Sequence, residues 1–363
     1  MIARVLLAAS AASLLLLSGC DRGEQGANSS SAGGAPQLVR FSVLPTENSA
    51  NLRTLWAPFI EDMSKQTGLK VEPVFASNYT ALVTAMASDQ IDAGWFSNAS
   101  GLEAVRRGGG EVFARSSDPT GVDGYQSVLI VNTKSTLTID DVLRCDRKLS
   151  FGLGDARSTS GTLAPITYLF APRNIDPERC FSTVRAANHE ANLLSVANGV
   201  LDVATNNSTN LRRLTEARPE TGARVKVIWT SPTIPEDPIV RRKGLDPAIK
   251  EKLRQFFLTY GTGTGAEADR QREVLRSLDF GTFRPADDKH LLPVREMEAT
   301  EAMLKARNGG DRVKLAEAKR ELDKVRGERE EADARAGVPP QPPVAGPGVA
   351  AAAPPATTPP AAR

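Results

Sequence analysis

Stretches with strand character alternate with stretches of helical periodicity along most of this chain, and that alternation limits its fold more than any other feature. Residues 38–44 are rich in β-branched and apolar residues with partial alternation, and a Pro- and Asn-containing turn follows. Residues 51–66 then place Leu52, Leu55, Trp56, Phe59, Ile60 and Met63 on one helical face. The exchange repeats with strands predicted at 69–75 and 91–96 and helices at 80–89 and 99–107. It restarts after a strong strand at 125–131, with strands at 149–152, 183–185, 200–205 and 225–230 and helices at 139–143, 162–170, 188–198 and 210–218. A return strand around Val240 and an amphipathic helix over 247–260 complete the pattern. Such alternation argues for parallel α/β sheets. Two runs of βα units, joined near 122–127 and again near 231–239, predict two lobes crossed twice by the chain. Lobe 1 is expected from 38–124 plus 238–300, and lobe 2 from 125–237. Strand C-termini and helix N-termini in such sheets face a cleft, the natural place for a ligand.

One strand-to-helix turn stands out for chemistry. Leu149-Ser-Phe-Gly-Leu-Gly-Asp-Ala-Arg-Ser-Thr-Ser-Gly161 reads as a short strand, a Gly/Asp turn and the opening of an apolar helix. Ser158, Thr159 and Ser160 fall at the predicted helix start. Their hydroxyls suit an ordinary N-cap. Together with the free N–H groups and positive dipole end of a first turn, they also suit a tetrahedral oxyanion. The residues of this stretch leave both readings open.

Composition narrows the alternatives. In 363 residues the formal net charge is +2, which gives no bulk basic excess for nucleic acid. Three cysteines and two histidines, His189 and His290, argue against a thiol or zinc site. No cofactor is expected.

The two ends carry separate signals. Residues 1–19 have one early basic residue, Arg4, and an apolar run too short to span a membrane, which reads as a secretory signal. The run ends in Leu17-Ser-Gly-Cys20, which resembles the bacterial lipobox and implies lipidation of Cys20. Residues 20–37 are dominated by Gly, Ser and Ala and are expected to be a flexible tether spanning about 20 Å. Export implies an oxidising compartment, in which Cys145 and Cys180 either pair across the Leu149–Phe170 stretch or remain two buried thiols. Residues 301–335 read as a charged helical extension, broken at Asn308-Gly-Gly310 into two helices, the second solvated or paired with a partner helix. Residues 336–363 are a Pro/Ala tail expected to be disordered.

Several motifs together carry a family resemblance. Asp92-Ala-Gly-Trp95, Val128-Leu-Ile-Val-Asn132, Ser158-Thr-Ser-Gly161, His189-Glu190, Asp202-Val-Ala-Thr-Asn-Asn207 and Ile234-Pro-Glu-Asp-Pro-Ile-Val240 are similar to those of the periplasmic phosphonate-binding proteins of ABC importers. The likeness covers about residues 38–300. It implies a two-lobe type II periplasmic-binding-protein fold that captures a small phosphonate, phosphite or phosphate and delivers it to an inner-membrane permease, with no catalysis. It also implies that Ser158, Thr159, Ser160 and His189 hold the oxyanion and that Tyr79 and Tyr125 line the cleft. Aminoalkylphosphonate binders hold the ligand's ammonium with two carboxylates; one falls on Asp237, but the other falls on Thr209, which is not acidic. A charge-assisted bond is roughly twice as strong as a neutral one. The resemblance therefore puts 2-aminoethylphosphonate in doubt and favours methylphosphonate, phosphite or phosphate.

From the residues alone, His189 and Ser158 both begin helices after strands, and their convergence favours a shared ligand. Trp95 and Phe96 read as packing residues, and Glu190 as a charge complementing a helix dipole. Two other functions compete. One is an exported hydrolase using Ser158 or Ser160 with His189, against which no Gly-x-Ser-x-Gly elbow occurs. The other is a solute receptor for a membrane sensor.

Overall fold

A computed structural model describes residues 37–337. The signal segment, Cys20 with the tether up to residue 36, and the tail beyond 337 lie outside the described residues. The strands are β1 (Leu38–Val43), β2 (Lys70–Phe75), β3 (Ala93–Trp95), β4 (Gly110–Arg115), β5 (Tyr125–Asn132), β6 (Ser150–Leu153), β7 (Thr183–Ala186), β8 (Val203–Asn207), β9 (Val225–Ile234), β10 (Pro238–Arg242) and β11 (Arg284–Pro285). They form a six-stranded sheet in the order β11-β4-β10-β3-β1-β2 and a five-stranded sheet in the order β7-β6-β8-β5-β9.

The sheets are mixed rather than wholly parallel, which corrects the expectation from alternation. β1 runs parallel to β2 and β3, and β6 runs parallel to β7 and β8. β10, however, lies antiparallel to both β3 and β4, and β5 lies antiparallel to both β8 and β9. The reason is the crossing itself. β5 and β10 are the first strands after the chain passes from one sheet to the other. Each therefore enters its sheet from the end at which the neighbouring strands finish.

The first sheet is buried by aromatic packing. Trp56, Phe59, Phe257 and Tyr260 are almost fully enclosed, and the helix Ser49–Thr67 supplies the first two from one face, as its spacing predicts. In the second sheet Phe151 stacks on Phe181 at 4.4 Å, and Phe170 meets both rings edge-on. Burying each such ring contributes roughly 1.5–3 kcal/mol. Beside this cluster Cys145 and Cys180 are joined in a disulfide, so the pairing alternative holds.

The strand β4 and the helix Ala266–Ser277 are absent from the sequence reading. That helix carries many charges and buries only Ala268, Gln271 and Leu275, so its periodicity is faint. The C-terminal extension is two helices, Leu292–Asn308 and Arg312–Ala336, broken where the glycines predict. The second packs along the first by one side while most of its residues stay exposed. Leu322 and Val325 are buried, and Arg329 reaches the buried Glu296 of the preceding helix at 2.7 Å.

Candidate functional site

The turn after β6 is built by two glycines that touch. A Cβ on Gly154 would lie 2.4 Å from the Gly161 Cα, and one on Gly161 would lie 2.8 Å from the Gly154 Cα. This approach lets the Gly154 N–H donate to the Gly161 carbonyl at 2.8 Å. The Thr205 hydroxyl donates to the same carbonyl at 2.8 Å. Pro165 has no N–H to offer that carbonyl from within the helix. The helical run therefore starts at Thr159, earlier than periodicity places it, and is π-wound over Thr159–Leu163 and Ile166–Phe170. Such widened turns recur at functional sites.

Ser158 is the N-cap, its Oγ accepting from the Gly161 N–H at 2.9 Å. That bond uses a lone pair and leaves the hydroxyl proton available to a ligand. Ser160 is pinned through its backbone, whose carbonyl accepts from the Ser127 hydroxyl at 2.6 Å. Its Oγ accepts from the Asn207 amide at 3.1 Å. Thr159 is placed differently. Its Oγ1 accepts from the Ala99 N–H at 2.8 Å, tying the second sheet to the helix Asn98–Arg107 of the first, and its side chain is not in the cavity wall.

His189 opens the helix His189–Ala197 and is buried. The Asn207 side-chain carbonyl accepts from the Asn210 N–H at 2.7 Å, capping the helix Ser208–Ala217, which turns its NH2 group towards Ser160 and His189. An amide nitrogen only donates, so His189 Nε2, 3.2 Å away, is the acceptor and the ring proton sits on Nδ1. Nδ1 is buried and has no partner among the described residues. Burial lowers the pKa of His189 to about 4, keeping the ring neutral. Ser160 Oγ lies 3.5 Å from Nε2, and among the described residues no acid hydrogen-bonds the ring.

Facing this end is an acidic, aromatic one. The Tyr125 hydroxyl donates to Asp237 Oδ1 at 2.9 Å, and the Asn98 amide donates to the same oxygen at 3.2 Å. Burial, with nearby Glu236, holds the Asp237 carboxyl well above the usual carboxylate range, opposed by the Tyr125 hydrogen bond. Burial, and then the field of Asp237, raises both tyrosines well above their ordinary value. Trp95 stacks on Trp56 at 5.5 Å, and both rings line the cavity, so Trp95 packs and lines at once. Phe96 is wholly buried in the core.

The cavity measures about 50 Å³, room for a few waters and hence for a ligand of a handful of heavy atoms. Its wall includes Tyr79, Tyr125, Ser158, Ser160, His189, Thr209 and Asp237, all expected from sequence. Sequence reasoning missed Asn207, Glu236 and the Glu47–Arg213 ion pair, which lie in the same wall. Asn207 and Glu236 stand inside motifs that carried the resemblance, and Arg213 follows Thr209 by one helical turn, so a signal existed for these three but not for Glu47.

Contacts between the sheets clasp the cavity. Glu47 pairs with Arg213. Asp155 Oδ2 accepts from the Tyr79 N–H at 3.1 Å. Glu190, expected only to complement its own helix dipole, accepts from the Asn48 N–H at 2.9 Å and from the Asn51 amide at 2.9 Å across the cleft.

Two α/β sheets linked by two crossings, with helix starts converging on the cavity between them, define a type II periplasmic binding protein. A family model described as ABC transporter, phosphonate, periplasmic substrate-binding protein matches residues 41–291. The phosphonates-binding periplasmic protein of Escherichia coli K12 is 41% identical over 290 residues, covering 80% of this chain and 82% of that protein. Among solved structures, a binding protein component of an ABC phosphonate transporter from Pseudomonas aeruginosa superposes with a TM-score of 0.79 at 39% identity, covering 82% of this chain and 99% of that one. A binding protein of Prochlorococcus marinus in complex with methylphosphonate shares the fold, with a TM-score of 0.63 at 20% identity over 72% of this chain and 97% of that one. The chain belongs to the periplasmic substrate-binding proteins of ABC phosphonate transporters, which bind rather than transform their ligands.

Proposed function

We propose that this protein is a lipoprotein that captures a small phosphonate, or the related phosphite or phosphate, and delivers it to an inner-membrane permease. The observation that carries the ligand class is the convergence of the Ser158 hydroxyl, the Ser160 hydroxyl and the neutral His189 ring on one small cavity. These groups can donate to an oxyanion without adding a formal charge. First-turn N–H groups have no acceptor one turn earlier and add to them.

In this reading residues 38–124 with 238–300 move as one lobe and 125–237 as the other. They close on the ligand through the clasp made by Thr159, Asp155, Glu190 and Arg213. Thr159 thus serves closure, while Ser158 and Ser160 serve the anion. Cys20 carries the lipid that keeps the protein at the membrane. Calorimetry against methylphosphonate, 2-aminoethylphosphonate, phosphite and phosphate tests the ligand class. We expect one site per chain and no turnover; failure of all four to bind would sink the reading. Mass spectrometry of the membrane fraction checks the anchor, and a Cys20→Ser protein should appear in the soluble fraction.

A further inference from the structure

One wall of the cavity ends in a residue that its own surroundings disfavour. Leu278 and Phe280 line the cavity, and Asp279 stands between them. The three follow the helix Ala266–Ser277. The Asp279 N–H donates to the Arg276 carbonyl at 2.9 Å, and the Phe280 N–H donates to the Leu275 carbonyl at 2.9 Å. This pair of bonds makes a Schellman ending, in which Asp279 takes the left-handed position with φ +60°. Glycine is the usual residue there, because a Cβ is disfavoured at such a φ. The negative end of the helix dipole disfavours a carboxylate at the same place. Asp279 is nonetheless an aspartate, and it is buried.

Its partner is Arg212, on the helix Ser208–Ala217. Arg212 Nε donates to Asp279 Oδ1 at 3.1 Å, and Nη2 donates to the same oxygen at 2.9 Å. Nη2 also donates to Asp118 Oδ2 at 2.8 Å. Asp118 follows β4, just before the first crossing, where its Oδ1 accepts from the Thr120 N–H at 2.7 Å. The Gly281 N–H donates to the Ser117 carbonyl at 2.7 Å, which holds the segments of the two aspartates together. One helix from residues 125–237 thus grips two carboxylates from residues 38–124 and 238–300. The same helix carries Thr209 and Arg213 of the cavity wall, whereas Arg212 is not in that wall. The aspartate side chains are 5% and 9% exposed, so solvent screens this contact less than a surface ion pair.

We infer that Arg212 is a positioning residue for ligand retention. It clips the Leu278–Phe280 wall to the opposite lobe and so sets the rate at which the closed site releases its ligand, without touching that ligand. The inference rests on the proposed closure of two lobes and names a residue that governs it. The unfavourable local position of Asp279 is explained by what its carboxylate gains across the cleft.

Stopped-flow release from the full chain, read by the fluorescence of the wall residues Trp56 and Trp95, tests it. The probe is whichever of methylphosphonate, 2-aminoethylphosphonate, phosphite and phosphate binds the wild type most tightly. Asp279→Gly is the decisive variant, because it removes the carboxylate and relaxes the left-handed backbone at once, so it should still melt cooperatively. Release should be about tenfold faster, the scale of a hydrogen bond to a charged group, with association changed by less than about threefold. Arg212→Met should speed release at least as much, and Arg212→Lys should restore part of the loss. Combining Asp279→Gly with Arg212→Met should add little, because both remove one contact. Unchanged release in cooperatively melting Asp279→Gly protein would overturn the inference, as would fully additive effects in the double variant. Tight binding by the wild type with such a result sinks the inference alone. If none of the four compounds binds the wild type, the phosphonate reading falls and the inference falls with it.

Discussion

The two ends of the cavity are made in opposite ways. The oxyanion end is local: Ser158, Ser160 and the backbone around them come from one strand–turn–helix unit, shaped by contact between Gly154 and Gly161. The distal end is assembled from afar. Tyr125 and Asn98 are 112 and 139 residues from the Asp237 they bind, and Ser116 is 120 residues from Glu236. The first end offers neutral donors, and the second offers carboxyls without cations. The contrast also teaches what each end depends on: the local end is fixed by backbone geometry, whereas the distal end depends on side chains brought together from distant elements.

The largest effect expected of a substitution is at the local end. Gly161→Ala forces a Cβ against the Gly154 backbone and the Ser158 side chain. Overpacking of this kind costs about 1–3 kcal/mol, and it distorts the anion cradle as well. Thermal melting should show the loss of stability, and calorimetry should show phosphonate affinity falling by about a hundredfold or more. Retained affinity would mean that the backbone approach is not what shapes this end.

The pH dependence of stability separates His189 from Glu236 by sign. His189 is lowered from 6.5 to about 4, so the unfolded chain takes up a proton that the folded chain refuses. Its contribution makes stability rise with pH between those values. His290, lowered to about 4 chiefly by burial, acts in the same direction. Glu236 is raised from 4.5 to about 7, chiefly by burial, so the folded chain keeps a proton that the unfolded chain releases. Its contribution makes stability fall as pH climbs through that window. Each shift corresponds to about 3 kcal/mol. The slopes oppose one another, so relative to the wild type the melting of the ligand-free protein should rise more steeply with pH in Glu236→Gln and less steeply in His189→Gln. Identical profiles in both variants would remove the distinction.

Next in size are the hydroxyls. Ser160→Ala should weaken phosphonate binding by roughly 10- to 100-fold, the scale of a hydrogen bond to a charged group. Thr159→Val should leave more of the affinity but loosen closure, which a faster ligand off-rate would report. Equal losses at both positions would return Thr159 to the cradle.

Smallest is Thr209→Glu. A glutamate there lies one turn before Arg213 on the same helix face and would compete with Glu47 for it, an interaction of about 0.3–0.5 kcal/mol. We expect at most about a twofold gain in preference for 2-aminoethylphosphonate. A tenfold gain by calorimetry would show that residue 209 governs the distal end.

Much of the site was legible because its signals are local. Gly and Asp in a turn, three hydroxyls and an apolar run specify a capped helix start wherever they occur, and Ser158 needs only its own neighbours to act. The amphipathic helix of Leu52, Trp56, Phe59 and Met63 is likewise periodic enough to read directly. Thr159 and Glu190 were read from their own helices, yet their partners are Ala99, Asn48 and Asn51 in the other sheet. No local pattern encodes such a pairing.

The sequence by itself determined the alternating elements, the broken C-terminal helix and the hydroxyl turn, because propensity, capping and steric exclusion act over a few residues. The tertiary structure decided the direction of β5 and β10, the tautomer of His189 and the presence of Glu236 beside Asp237 in the cavity. Each of these depends on which distant groups share a low-dielectric space. There, an unpaired proton or charge is too costly to leave unanswered.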